Sequence, residues 1–459
     1  MVESPKINVN QNGYLQQACG NYTIEYVKLF LERPDIEVNS MAFHGHSALY
    51  SATCENGNPE IVQLLLQRED IDVNLGTNEG FTPLHNACSN GNTEIVGLLL
   101  NAKDINVNAQ DNDGETPLYL ACLEERFEIV NLLLDNKNID VNLQEEEGMT
   151  PLHAALKQEN FEIVKLLLDK PEINVNTRDN DGDTPLHIAC REGYLEIAKL
   201  LLQKQREEID VNLGTDEGFT PLLSACNNGN TDIVALLLNA KDIDANTQDN
   251  HGDTPLHIAC RKGCFEIAKI LLQKQDLKIN AQENVGETPL LVACLGGRLE
   301  IVKLLLENKN IDVNIRGEEG MTPLHNALQE DYFEIAQLLL KRPELDINIL
   351  DDYNRSPIIL ACSVGNIEMV KQILYFDFEN IDISFALHWA CDSGHLDIVK
   401  LLLQLPITEI DVRGHNDQTP LDYAKNNGHE EIVKFLEYQM KNPFEKFVSI
   451  FKTCLNLPE

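Results

Sequence analysis

Apolar and polar positions follow one scheme that returns about every 34 residues: a turn-rich polar stretch, a short apolar run, a break, and a longer apolar run at helical spacing. Residues 179–212 serve as the type. DNDG carries turn chemistry, and Thr184 followed by Pro185 predicts an N-cap with proline in the first helical position, where its missing N–H costs nothing. A first helix then runs through LHIACRE and stops at Gly193, the residue type that best tolerates a left-handed terminator. A second, LEIAKLLLQ, sets Leu195, Ile197, Ala198, Leu201 and Leu202 on one stripe, and the chain returns through IDVN to the next turn. Helices this short are marginal alone, so each pair must bury its stripe against its neighbours, which predicts a stacked array.

The phrase TPL marks the period at 82, 116, 150, 184, 220, 254, 288, 322 and 419, with weaker copies at 47, 356 and 385 and the weakest near Gly13. These 13 anchors place a repeat array over residues 1–440 and leave a tail at 441–459. Two steps break the period: 36 residues from Thr184 to Thr220, and 29 from Ser356 to Phe385. Around the second, IDISFALHWAC lacks the residues for a hairpin finger, and a gap or kink is expected at 375–385. The tail begins with a capping-box pattern, Asn442, Pro443 and Glu445, followed by Phe444, Phe447, Val448, Phe451 and Leu455 at helical spacing. It reads as a helix that either caps the last repeat or docks onto a partner. No stretch is left for a separate catalytic domain.

DNDGDTPLHIACREG at 179–193 and DNHGDTPLHIACRKG at 249–263 closely resemble the ankyrin repeat framework D-x-x-G-x-T-P-L-H-x-A-[AC]-x-x-G, and the resemblance covers nearly the whole chain. It implies an all-α solenoid of about 13 helix–turn–helix units with β-hairpin fingers, whose concave groove and finger tips contact partner proteins. The unit is one residue longer than the usual 33, with an extra isoleucine in NKNIDVN (136–142) expected to plug the space under the hairpin. Asparagines of the VN motif, such as Asn108 and Asn142, resemble ankyrin hydroxylation acceptors. Near-duplicates at 77–105 and 215–243 point to growth by duplication.

Composition narrows the partners. With 36 Lys and Arg against 74 Asp and Glu, the net charge of -38 opposes nucleic acid, which needs a clustered basic surface. No apolar run is long enough for a membrane span and the start carries no secretion signal, so an intracellular, cytoplasmic location is expected; delivery into a host cell as an effector is the other localisation considered. Ten of the 12 cysteines occupy one helix-1 position (19, 54, 88, 122, 190, 226, 260, 294, 362 and 391) and read as small buried hydrophobes in a reducing compartment. His and Cys three apart, as in HIAC, give too few ligands for zinc, and DNDGD lacks the bidentate Glu of a calcium loop. No nucleophile, phosphate loop or metalloprotease motif is found, so neither enzymatic activity nor a cofactor is expected.

Glu94, Glu128, Glu162, Glu196, Glu266, Glu300, Glu334 and Glu368 open second helices, where negative charge complements the helix dipole. Other acids crowd the finger turns and would form a negative ridge that steers basic partners. The candidate contacts are the positions the framework leaves free. They are Asn78, Glu79, Phe81, Ser89 and Asn90; Asn112, Asp113 and Glu115; Glu146, Glu147 and Met149; Asn180, Asp181, Asp183, Arg191 and Glu192; Asp216, Glu217 and Phe219; Asn250, His251, Asp253, Arg261 and Lys262; and Glu318, Glu319 and Met321. Phe81, Met149, Phe219 and Met321, each just before TPL, read either as apolar anchors among acids or as packing between fingers. The expected function is a monomeric scaffold or adaptor for proteins with basic surfaces; a regulator or inhibitor of a partner enzyme is the alternative.

Overall fold

In the computed structural model the described residues are 10, 13–21, 23–204, 209–376, 381, 383, 385–405, 408–414 and 416–442. The tail helix expected at 441–459 lies almost wholly outside them. Among the described residues there are 26 α-helices and no strand, and the chain divides into two units, Met1–Asp244 and Ala245–Glu459. The first holds seven helix pairs, from Tyr14–Gly20 with Ile24–Leu31 to Pro221–Asn227 with Thr231–Leu238. The second holds six, from Pro255–Lys262 with Phe265–Leu271 to Pro420–Asn426 with Glu430–Lys441. Within each unit, first helices pack on neighbouring first helices and second on second, as in Pro117–Leu123 against Pro151–Lys157.

Each pair forms for the local reasons read above. Thr116 caps Pro117–Leu123 by accepting the Tyr119 N–H at 3.1 Å, and Pro117 takes the first helical position. Pro185–Glu192 ends at Gly193, whose φ of 87° is the left-handed stop. The acids expected to open second helices do so, Glu128 in Phe127–Leu134 among them.

The core is one column of repeated side chains per unit. Leu118, Ala121 and Cys122 of one first helix are fully buried, as are Leu152, Ala155 and Leu156 of the next, where leucine replaces the cysteine. Second helices add Ile129, Val130 and Leu133. Burying a side chain of this size is worth about 1.5–3 kcal/mol, which compensates for helices too short to stand alone.

The extra isoleucine packs unevenly: Ile139 is only part-buried, whereas Ile36, Ile173 and Ile311 at the same repeat position are buried, and Val141, two residues on from Ile139, is wholly buried. Asn142, next in line, reaches into the following repeat. Its Nδ2 donates to the Glu172 carbonyl at 2.8 Å, and its Oδ1 accepts the Asn174 N–H at 2.8 Å. Asn39, Asn74 and Asn108 repeat this rung in the first unit, and Asn280 and Asn314 in the second. Across the 36-residue step the Asp210 N–H still reaches Asn176 Oδ1 at 3.1 Å.

Candidate functional site

The fingers are single tight turns rather than ladders. Asp111 N–H bonds the Glu115 carbonyl at 3.1 Å, and the Asp111 Oδ1 accepts the N–H groups of Asp113 (3.1 Å) and Glu115 (2.8 Å). Gly114, with φ 81°, makes the reversal possible. Five residues closed this way leave no room for the paired bonds of a strand, which is why the expected hairpins reduce to turns. Asp179, Asp249 and Asp351 do the same in their repeats. These first aspartates are structural, though sequence alone groups them with the exposed acids.

Finger is tied to finger by main chain. In the first unit Asn112 N–H bonds the Glu79 carbonyl (3.0 Å), Glu146 that of Asp113 (2.7 Å), Asn180 that of Glu147 (2.9 Å) and Asp216 that of Asp181 (3.3 Å). The side chains of Asn112 and Asn180 add a second bond backward, to the carbonyls of Asn78 and Glu146. The row so fixed presents Glu79, Asp113, Glu146, Glu147, Asp181, Asp216 and Glu217 as exposed carboxylates. Its electrostatic density shows at Glu115, whose pKa rises to about 7 through burial and then through Asp111, Asp113 and Glu145. In the second unit Asn250, His251, Glu318 and Glu319 are exposed at equivalent tips.

Leaving aside Glu115 and Glu287, the residues before TPL separate into three kinds. Met149 and Met321 are buried, at 4% and 5% exposed. Asp183 and Asp253 are buried and paired with Arg191 and Arg261, eight positions on at the end of the same first helix. Phe81 and Phe219 are part-exposed. Of the other candidates, Ser89 and Asn90 are part-buried, while Glu192 and Lys262 are exposed, Glu192 bonded to Arg191 at 3.1 Å. Arg126 was not a candidate, yet it donates to the Ser89 carbonyl at 3.0 Å and links two repeats.

The structure gathers seven candidates around one cleft of about 510 Å³ in the first unit: Asn180, Asp181, Asp183, Arg191, Asp216, Glu217 and Phe219. Four carboxylates face one guanidinium there, and Phe219 supplies the apolar wall. Arg178, outside the lining, reaches Asp216 Oδ1 at 2.6 Å.

The recurring histidines and cysteines serve the fold. His187 Nδ1 receives the Thr184 N–H at 3.1 Å, and its Nε2 meets the Phe219 carbonyl at 3.0 Å. His85, His153, His257 and His325 repeat both contacts. The helix-1 cysteines are buried apart from the part-buried Cys54, and burial pushes thiol pKa values up at Cys88, Cys122, Cys190, Cys260, Cys294 and Cys362, and to about 12 at Cys19 and Cys391. No helix among the described residues is long and apolar enough to cross a membrane.

No curated protein matches the chain. The family described as ankyrin repeats (3 copies) matches it at residues 3–77, 53–145, 136–214, 206–283, 275–351, 343–414 and 358–443. With this match along most of its length and helix pairs capped by Thr-Pro-Leu, the chain belongs to the ankyrin repeat family.

Proposed function

We propose that this chain is a non-enzymatic, monomeric scaffold or adaptor of the cytoplasm that captures proteins through basic surfaces, with the cleft beside Phe219 and the finger row of the first unit as its contact face. Ankyrin repeats are generally protein–protein interaction modules, and the family is typically non-enzymatic. The observation that carries the reading is the cleft itself. An apolar ring stands among Asp181, Asp216 and Glu217 on turns held in register by main-chain bonds, so little ordering remains to be done on binding. A row of like charges also raises the local concentration of basic partners and their association rate.

The test takes a purified partner, identified by affinity capture, against wild type and the triple variant Phe219→Ala, Asp181→Asn, Glu217→Gln. The affinity should fall about tenfold or more and the association rate should lose much of its salt dependence, with melting unchanged. Equal affinity of the two proteins would remove the cleft from the contact face.

A further inference from the structure

In the second unit a cavity of about 190 Å³ lies beside Phe385, lined by Tyr353, Phe385, His388, Trp389, Asp392 and Tyr423 among others. Tyr353 belongs to the last finger before the short step, His388 and Trp389 to the helix Ala386–Asp392, and Tyr423 to Pro420–Asn426. We propose that this cavity seats an arginine side chain presented on a loop of a basic protein partner. The proposal rests on the reading that the chain engages basic proteins, and it places one specific contact of that class.

His388 carries the inference. In regular repeats the threonine at the N-cap gives its N–H and hydroxyl to the histidine Nδ1, as Thr322 does to His325. Here Phe385 takes the N-cap with φ -107° and ψ -4° and makes no side-chain cap bond. The Nε2 of His388 still meets a carbonyl, that of Val412 at 3.1 Å, so Nε2 holds the proton and Nδ1 is an acceptor. That Nδ1 is buried and has no hydrogen-bond partner among the described residues, while the residue as a whole is 4% exposed. A buried acceptor in this condition is destabilising until a donor arrives.

The surroundings select the donor. Tyr423 stands edge-on to His388 at 5.6 Å between ring centroids, and Phe385 lies 5.8 Å from the same ring. With Trp389 they make an aromatic enclosure whose faces attract a cation. Asp392 adds a carboxylate, oriented by Asn427 Nδ2 at 2.7 Å. Guanidinium fits all three demands: a flat cation for the rings, several N–H donors for Nδ1, and a forked partner for the carboxylate.

Trp389 is the one tryptophan of the chain and so reports the cavity directly. The full-length protein is titrated with the capped tripeptide Gly-Arg-Gly and with its citrulline counterpart, which keeps the shape and loses the charge. A saturable change in Trp389 emission is expected for arginine in the millimolar range, about tenfold weaker for citrulline and in Asp392→Asn. The 15N resonance of His388 Nδ1 should shift on binding, a readout that needs no variant. No saturable change up to about 10 mM, or equal responses to arginine and citrulline, would overturn the assignment. Phe219 and Asp181 variants leave this response unchanged, so absence of the cavity signal while the first-unit cleft variants still weaken capture sinks this site alone, and undiminished capture by those variants with the cavity signal intact sinks only the cleft.

Discussion

His187 joins two repeats with one ring: its Nε2 lies 3.0 Å from the main-chain oxygen of Phe219, while Nδ1 accepts from Thr184 at the start of its own helix. The candidate anchor is thereby fixed from behind by the preceding repeat. Such a ring works only when neutral, and burial accordingly lowers the pKa of His85, His153, His187, His257 and His325, that of His153 to about 4.

A pH-dependent stability follows. The unfolded histidine, near 6.5, takes a proton before the folded one does, so the stabilisation is full above 6.5 and drains away as pH falls toward 4. His153→Gln should cost about 1–2 kcal/mol at pH 7.5, and the gap to wild type should close as pH drops. Denaturant melts across this range measure it; a gap constant with pH contradicts the neutral-ring role.

Glu287 behaves in the opposite sense. Burial raises its pKa to about 7, ahead of weaker effects from Glu283 and Glu318, and its Oε2 has no partner among the described residues. The folded state binds the proton more tightly than the unfolded one, so stability is present below about 4.5 and is lost as pH rises through 7. Glu287→Gln should therefore match wild type near pH 5 and melt higher at pH 8. Calorimetry at the two pH values decides.

Asn142 tests the rung between repeats. Alanine removes both bonds to 172–174, at about 1 kcal/mol because water reaches the vacated groups. Aspartate keeps the acceptor for Asn174 but cannot donate to the Glu172 carbonyl, so it should be no better than alanine. Urea unfolding of the two variants provides the comparison.

Thiol labelling should read the packing directly. Among the described cysteines only Cys54 and Cys264 are part-exposed; Cys88, Cys122 and Cys190 are buried with raised pKa values. Iodoacetamide under native conditions should modify Cys264 and Cys54 first and spare the others until the array opens. Rapid labelling of Cys122 in the native protein would contradict the buried column.

The helix pairs were legible because their causes are local: a threonine cap, a proline, a stripe and a glycine stop within one period. The division among finger residues was not. Asp183 and Asp181 look alike in sequence, yet one is buried against Arg191 and the other is exposed, a distinction made by an arginine eight residues away. Met149 and Phe219 hold the same repeat position, yet one is buried and the other only part-buried. The short step before Phe385 was visible as a count of residues, and the gap or kink expected there falls largely outside the described residues, but the unpartnered nitrogen of His388 shows only in space.

The asparagine rung has a consequence for how such a chain changes over generations. Asn142 reaches only for a bare carbonyl and a bare N–H, groups that every residue but proline offers. A newly copied repeat can therefore couple to whatever stands behind it without any matching substitution in that neighbour. Length becomes an inheritable variable that recombination can adjust in whole units, while the finger tips of each copy stay free to drift toward new partners.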